Sequence, residues 1–175
     1  MKRNFIYVFI LFLILNVQLN AMAKRPSLKE EKPKASTLTQ KIGVNEYDYA
    51  LDFTLPDLNG KNITISDYKG KTNVLLVFFA TWCPPCIREI PELNRISSEI
   101  SKDELRIIAV NVEGKDVLSK LRGFSKKHNI VYDVVIDTER EISRKYNILG
   151  IPTNILVDRD GVIRYRGHGL PENLH

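Results

Sequence analysis

Only two cysteines, one tryptophan and three histidines occur among the 175 residues. Two cysteines cannot build a disulfide-dense mini-protein, nor can they alone complete a Cys-rich zinc site. No apolar run reaches the roughly 20 residues that a spanning helix needs. Charge of one sign is also scarce. With Lys2 and Arg3 set aside, 24 basic residues face 21 acidic ones, an excess too small to point to nucleic acid. There are no internal repeats. At 43% hydrophobic and 27% charged, the balance excludes a disordered, collagen-like or multi-span membrane chain. The length suits one domain of roughly 100–150 residues with appendages, which buries enough surface to fold without staples.

Lys2 and Arg3 precede an apolar run from Phe5 to Leu15, followed by Asn16, Gln18, Asn20 and the triplet Ala21-Met22-Ala23. A positive start, a short apolar core and an A-x-A site read as a secretory signal over residues 1–23. An uncleaved membrane anchor is the rival, because no charge interrupts Phe5 to Ala23. Either way the domain is expected outside the cytoplasm, periplasmic or otherwise extracytoplasmic. Residues 24–42 hold no aromatic residue, and Pro26 and Pro33 sit among Lys, Glu, Ser and Thr. Such a stretch buries too little to order itself and reads as a flexible linker. The folded domain is expected over residues 43–175.

Within it, Ala50 to Leu55 alternates like a strand, and Asn59-Gly60 makes a turn before Ile63 to Ile65. Val74 to Ala80 is a continuous apolar run, as befits a strand buried on both faces. Beyond it Ile90, Leu93, Ile96 and Ile100 recur at helical spacing, with Pro91 inside the helix expected to kink it. Arg106 to Val112 predicts a second buried strand, and Val117, Leu118, Leu121 and Phe124 a second helix. A short strand follows at Val134 to Ile136, then a short helix at Glu139 to Tyr146. Asn154 to Val157 and Val162 to Arg166 flank Asp158-Arg159-Asp160-Gly161 as a hairpin. Alternating strands and helices with a closing antiparallel pair predict an α/β fold on a mixed sheet.

Both cysteines fall in Trp82-Cys83-Pro84-Pro85-Cys86, at a strand-to-helix junction. Cys83 is expected at the helix N-terminus, where free N–H groups and the helix dipole favour a thiolate. The thiolate is the attacking species in disulfide exchange. Cys86, nearly a turn later, can resolve the mixed disulfide. Pro84 and Pro85 stiffen the loop, and Pro85 can be helical without losing a hydrogen bond. A c-type haem site would need His after the second cysteine, where Ile87 stands. His128, His168 and His175 offer no zinc-like pair, so no metal and no cofactor are expected. A structural disulfide spanning so short a loop would constrain little chain. Redox exchange is the reading that remains strongest.

Phe79-Ala80-Thr81-Trp82-Cys83-Pro84-Pro85-Cys86, with Pro91 beyond, resembles the thioredoxin active site. More specifically it resembles the extracytoplasmic thioredoxin-like reductases of the TlpA/ResA type. The resemblance runs from about Ala50 to Gly169. Asp52 to Leu55, Asp57 to Gly60 and Ser66 to Lys71 look like that group's N-terminal β-hairpin, and Glu113 to Asp137 like its central helix-strand insertion. It implies a thioredoxin fold, with a mixed central sheet flanked by helices. It also implies that Gly150-Ile151-Pro152-Thr153 is a cis-proline loop beside the cysteines, with Ile151 favouring a reductase. Trp82 is expected either to pack over the disulfide and shape the docking surface or to serve the core alone. Glu89, three residues after Cys86, matches a glutamate these proteins hold near the site. Its other reading is an acid that merely suits a helix N-terminus.

Two departures stand out. The buried aspartate of thioredoxin is replaced by Val77, and either the closing helix is short or missing or the chain is a fragment, since only Leu170 to His175 remain. One sheet face would then be partly bare. Asp158 to Gly161 opens like a calcium loop but lacks the later ligands and reads as a turn. Arg159, Arg164 and Arg166 read as a solvated hairpin face, and His128 as a cation ending a helix. The function implied is reduction of protein disulfides by the Cys83–Cys86 dithiol, with roles in cell redox homeostasis and cytochrome c biogenesis. Apocytochrome c would be a substrate, and a membrane thiol reductant of the DsbD/CcdA type would recharge a monomeric enzyme. The rivals are an oxidase or isomerase, a redox-dependent binding or sensing module, and a peroxidase, whose local motif is absent.

Overall fold

The structure, a computed structural model, describes residues 41–174. The expected signal or anchor over 1–23 lies outside the described residues, as does the linker up to residue 40. The centre is a five-stranded mixed sheet. Its strands are β5 (Asn73–Phe79), β6 (Leu105–Asn111), β7 (Asp133–Ile136), β8 (Thr153–Val157) and β9 (Ile163–Gly167). Their order across the sheet is β7-β6-β5-β8-β9. β5, β6 and β7 run parallel, while β8 is antiparallel to both β5 and β9.

The unbroken apolar run of β5 follows from two covered faces. Leu75, Val77 and Phe79 enter one core, with Leu93 and Ile96 of α1 (Pro84–Glu99) and Leu121 of α2 (Leu118–Lys127). Val74, Leu76 and Phe78 enter the other, with Ile142 of α3 (Glu141–Lys145) and Tyr146. Strand side chains alternate, so a strand inside a layered fold must be apolar at every position. Tyr146 is fully buried between the rings of Phe53 and Phe78 and donates its hydroxyl to the Leu51 carbonyl. The buried carboxylate of Asp137 accepts from the N–H groups of Ile142 and Ser143, which satisfies the open start of α3.

Near the N-terminus, β1 (Ile42–Gly43) pairs with β2 (Tyr49–Ala50), and β3 (Thr54–Pro56) with β4 (Asn62–Thr64). The single strand expected over Ala50 to Leu55 is thus two short ones. Asp52 explains the break, because its Oδ1 accepts from the backbone N–H of Phe53 and Ser66 at 2.9 Å each. The β3–β4 turn holds Gly60 at φ 85° and ties the N–H groups of Asn59 and Lys61 to the Asp57 carboxylate. The insertion docks on this hairpin through Arg122, which donates to the Leu58 carbonyl.

α1 continues through Pro91, whose missing N–H would have met the Ile87 carbonyl. After β9 the described residues form no helix. Leu170 and Leu174 pack against the core there instead, and an open cleft remains between the tail and the sheet, lined by Leu156, Tyr165 and Leu170. The solvated arginine face needs correction at Arg166. Its guanidinium reaches inward to the carbonyls of Val44, Tyr146 and Asn147, because β9 lies against the N-terminal segment. Arg164 pairs with Asp158, whose other oxygen accepts the N–H groups of Asp160 and Val162 in the hairpin turn.

Candidate active site

β5 ends at Phe79, and the chain must pass from a buried strand into α1 within a few residues. Cys83 takes the position that caps the helix. Its sulfur accepts the Cys86 N–H at 3.3 Å, and its carbonyl accepts the Ile87 N–H at 3.1 Å. A sulfur here does what a Ser or Asp oxygen does at other helix starts. It stands in the positive field of the helix end, which favours negative charge on Cys83 when the pair is reduced. Pro84 and Pro85 occupy the first helical positions, where an N–H has no intrahelical partner to lose.

Cys83 and Cys86 are joined as a disulfide with Cα atoms 5.3 Å apart. Both are buried, Cys83 to 3% exposure. The Ile151 carbonyl lies 3.7 Å from the Cys83 sulfur, and the Ile151–Pro152 peptide bond is cis. Thr153 fastens this loop by donating to the Gly150 carbonyl at 2.7 Å, and His168 Nδ1 lies 2.7 Å from the Pro152 carbonyl oxygen. Trp82 is 66% exposed and Leu149 90% exposed. Core service for Trp82 is therefore ruled out. Trp82, Leu149 and Ile151 line one cleft, with Arg140 and Arg144 at its rim. A bulky partner must settle on this surface before it can reach a sulfur so deeply set.

Val77 is buried beneath the site and cannot move a proton. Two carboxylates stand nearby. Glu89 is half-buried one helical turn beyond Cys86, and Asn154 Nδ2 donates to its two oxygens at 3.4 and 3.3 Å. Burial pushes the Glu89 carboxyl above the ordinary range, and the Asn154 hydrogen bond opposes this. The Tyr132 hydroxyl, from the loop before β7, is raised by its own burial and by the charge of Glu89.

The second carboxylate, Glu113, escaped the sequence reading. Its oxygens accept from the Thr81 N–H at 2.7 Å, the Thr81 hydroxyl at 3.0 Å, Asn111 Nδ2 at 2.9 Å and Lys120 Nζ at 2.7 Å. Partial burial resists its charge. The hydrogen bonds from Lys120, Asn111 and Thr81 outweigh that and bring its pKa down to about 2. Glu113 thus pins the loop carrying Trp82 and Cys83 to the end of β6. Its signal in the sequence was its place just past the carboxyl end of a buried parallel strand, where sites of α/β sheets gather. His128 stacks on Phe124 at the end of α2, away from this constellation. Among the described residues no three His, Cys, Asp or Glu side chains cluster to hold a metal.

Residues 47–166 match the AhpC/TSA family. The thiol-disulfide oxidoreductase ResA of Geobacillus kaustophilus is 37% identical over 126 residues, which cover 72% of this chain and 71% of that protein. Among solved structures, a thiol:disulfide interchange protein DsbE from Chlorobium tepidum superposes with a TM-score of 0.66 at 28% identity, over 74% of this chain and 89% of that one. The pneumococcal exposed lipoprotein thioredoxin of Streptococcus pneumoniae superposes with a TM-score of 0.60 at 27% identity, over 70% and 92% of the two chains. The fold shared with these proteins is the thioredoxin fold.

Proposed function

We propose, from the premise that the chain belongs to the AhpC/TSA family and is a thiol–disulfide oxidoreductase of the ResA type, that it works as a reductase of protein disulfides outside the cytoplasm. In this reading the Cys83 thiolate attacks a substrate disulfide, forming a Cys83–substrate bond and releasing the first substrate thiol. Cys86 then attacks the Cys83 sulfur. The internal disulfide forms, the second substrate thiol leaves, and two electrons have passed to the substrate. Glu89 accepts the Cys86 proton, the task that Val77 cannot perform. Trp82, Pro84, Pro85 and the Ile151–Pro152 loop present the docking surface.

One observation carries the reading most directly. The Cys83 sulfur caps α1 while an exposed cleft of Trp82, Leu149 and Ile151 lies beside it. Apocytochrome c, whose cysteines must be reduced before haem attachment, is the substrate that kinship with ResA suggests. A membrane thiol reductant of the DsbD/CcdA type would return the pair to the dithiol. Export by residues 1–23, with cleavage or anchoring there, and a linker up to residue 42 complete the proposal. The exposed lipoprotein among the solved relatives agrees with an extracytoplasmic site.

The test is the reduction potential of the Cys83–Cys86 pair in protein starting at Lys24. Trp82 is the only tryptophan and adjoins Cys83, so its fluorescence in defined thiol buffers reads the redox state. A value near about −270 mV, that of thioredoxin, is expected. A value near about −120 mV would make the protein an oxidant and defeat the cytochrome reading.

A further inference from the structure

Asn154 sits on β8, two residues beyond Pro152, and is wholly buried. Its Nδ2 donates to both oxygens of Glu89 and, at 3.0 Å, to the Gly169 carbonyl of the tail after β9. Its Oδ1 is equally buried and has no hydrogen-bond partner among the described residues. An orphaned buried acceptor is costly, and a catalytic role is one reason a protein keeps such a group. The amide therefore carries a donor that suits a charged carboxylate and a spare acceptor that suits a protonated one. No other side chain donates to Glu89 among the described residues.

We propose that Asn154 is a positioning residue that holds Glu89 beside Cys86 and serves both of its protonation states during proton exchange. The inference rests on the reading of Glu89 as the proton acceptor. In the resolving step the Cys86 thiol gives its proton to the Glu89 carboxylate. The thiolate then attacks the Cys83 sulfur, and the Cys83–substrate bond breaks as the Cys83–Cys86 bond forms. The departing substrate thiolate takes up one proton, so charge balances once Glu89 is deprotonated again. With Glu89 charged, the Nδ2 donors meet it. With Glu89 neutral, its O–H has an acceptor if the amide turns about its last torsion, at the expense of the Gly169 contact.

The groups that bear on Glu89 are Cys86 on its own helix, Tyr132 before β7, Asn154 on β8 and the Gly169 carbonyl of the tail. Tyr132 is raised well above neutrality and stays uncharged in the working range. The pH response is therefore assigned to Glu89, whose carboxyl burial raises, and to the thiols. Asn154→Leu removes the donor that favours charged Glu89, so the carboxyl should titrate higher than in the wild type. Two readouts apply to the full domain, the first on its dithiol form and the second on the Cys83 mixed disulfide. One is the carbon-13 NMR titration of the Glu89 carboxyl, and the other is the pH profile of mixed-disulfide release by Cys86. Asn154→Leu should move both midpoints upward together, while Asn154→Ser, which keeps a short donor and acceptor, should move them less. In a Glu89→Gln background, Asn154→Leu should leave the remaining profile in place. An unmoved Glu89 midpoint in Asn154→Leu, or an Asn154→Ser midpoint displaced as far as that of Asn154→Leu, overturns the role of Asn154. If Glu89→Gln alone leaves the release profile unchanged, the reading of Glu89 falls, and this inference with it.

Discussion

The Cys83 sulfur depends on a loop whose position is set from outside that loop. Thr81 stands two residues ahead of Cys83, and both its N–H and its hydroxyl end on Glu113. The Glu113 side chain is only 10% exposed and holds four hydrogen bonds, one from Lys120. Glu113→Gln keeps the shape but removes the charge, and one remaining oxygen cannot take all four donors. The variant should lose stability in urea unfolding at pH 7 and expose Trp82 to a different environment. The sign with pH follows from the depressed pKa. Charged Glu113 stabilises the fold fully above its ordinary value of 4.5, and that contribution disappears as pH falls through about 2. The gap between wild type and Glu113→Gln should therefore be widest above about pH 4.5 and close toward pH 2. A gap that stays constant across this range would show that Glu113 acts by shape alone.

Among the elements, α2 tests how far the insertion belongs to the domain. Leu121 is fully buried in the core that also holds Leu75, Val77 and both cysteines. Leu121→Ala should cost about 2–5 kcal/mol in denaturant unfolding, as buried leucines do when no neighbour can refill the space. Insulin reduction per folded molecule should change little, since no atom of Leu121 meets the sulfurs' docking cleft. A loss of activity without a loss of stability would instead tie α2 to the chemistry. This helix was readable in advance from Val117, Leu121 and Phe124 on one face, as β5 was from its apolar run and α1 from Ile90, Leu93, Ile96 and Ile100 at helical spacing. What escaped reading was contact across long sequence separation. Thr81 and Glu113 are 32 residues apart, and Glu89 and Asn154 are 65 apart. Periodicity reports which face of an element is apolar, but not which polar side chain from a distant strand will arrive at it. Asp52 was missed for the opposite reason, because a local carboxylate-to-backbone bond interrupted a strand that alternation had drawn as continuous.

The domain as one cooperative unit links its redox state to its stability. Cys83 and Cys86 both lie in the main core, so folding and disulfide chemistry share a thermodynamic cycle. Forming the disulfide in the folded chain and in the unfolded chain differs in free energy by the difference between the two forms' unfolding free energies. A strong oxidant such as DsbA gets its potential from a stabilised dithiol form. A reductase requires the reverse, a folded structure that favours the disulfide. Here burial opposes a free thiolate on Cys83, whereas the helix start and the Cys86 N–H favour it. Val77 offers no charge to offset either. With the sulfurs this deeply set, the disulfide form should be the more stable one. Its urea midpoint should exceed that of the dithiol form at pH 7, and a gap of about 1.4 kcal/mol in unfolding free energy corresponds to about 30 mV for a two-electron couple. The offset measured in urea must agree with the potential read from Trp82 fluorescence, once the unfolded chain's own pair is measured in the same buffers. A dithiol form that outlasts the disulfide form would mark an oxidant, and the direction of electron flow proposed for this protein would have to be reversed.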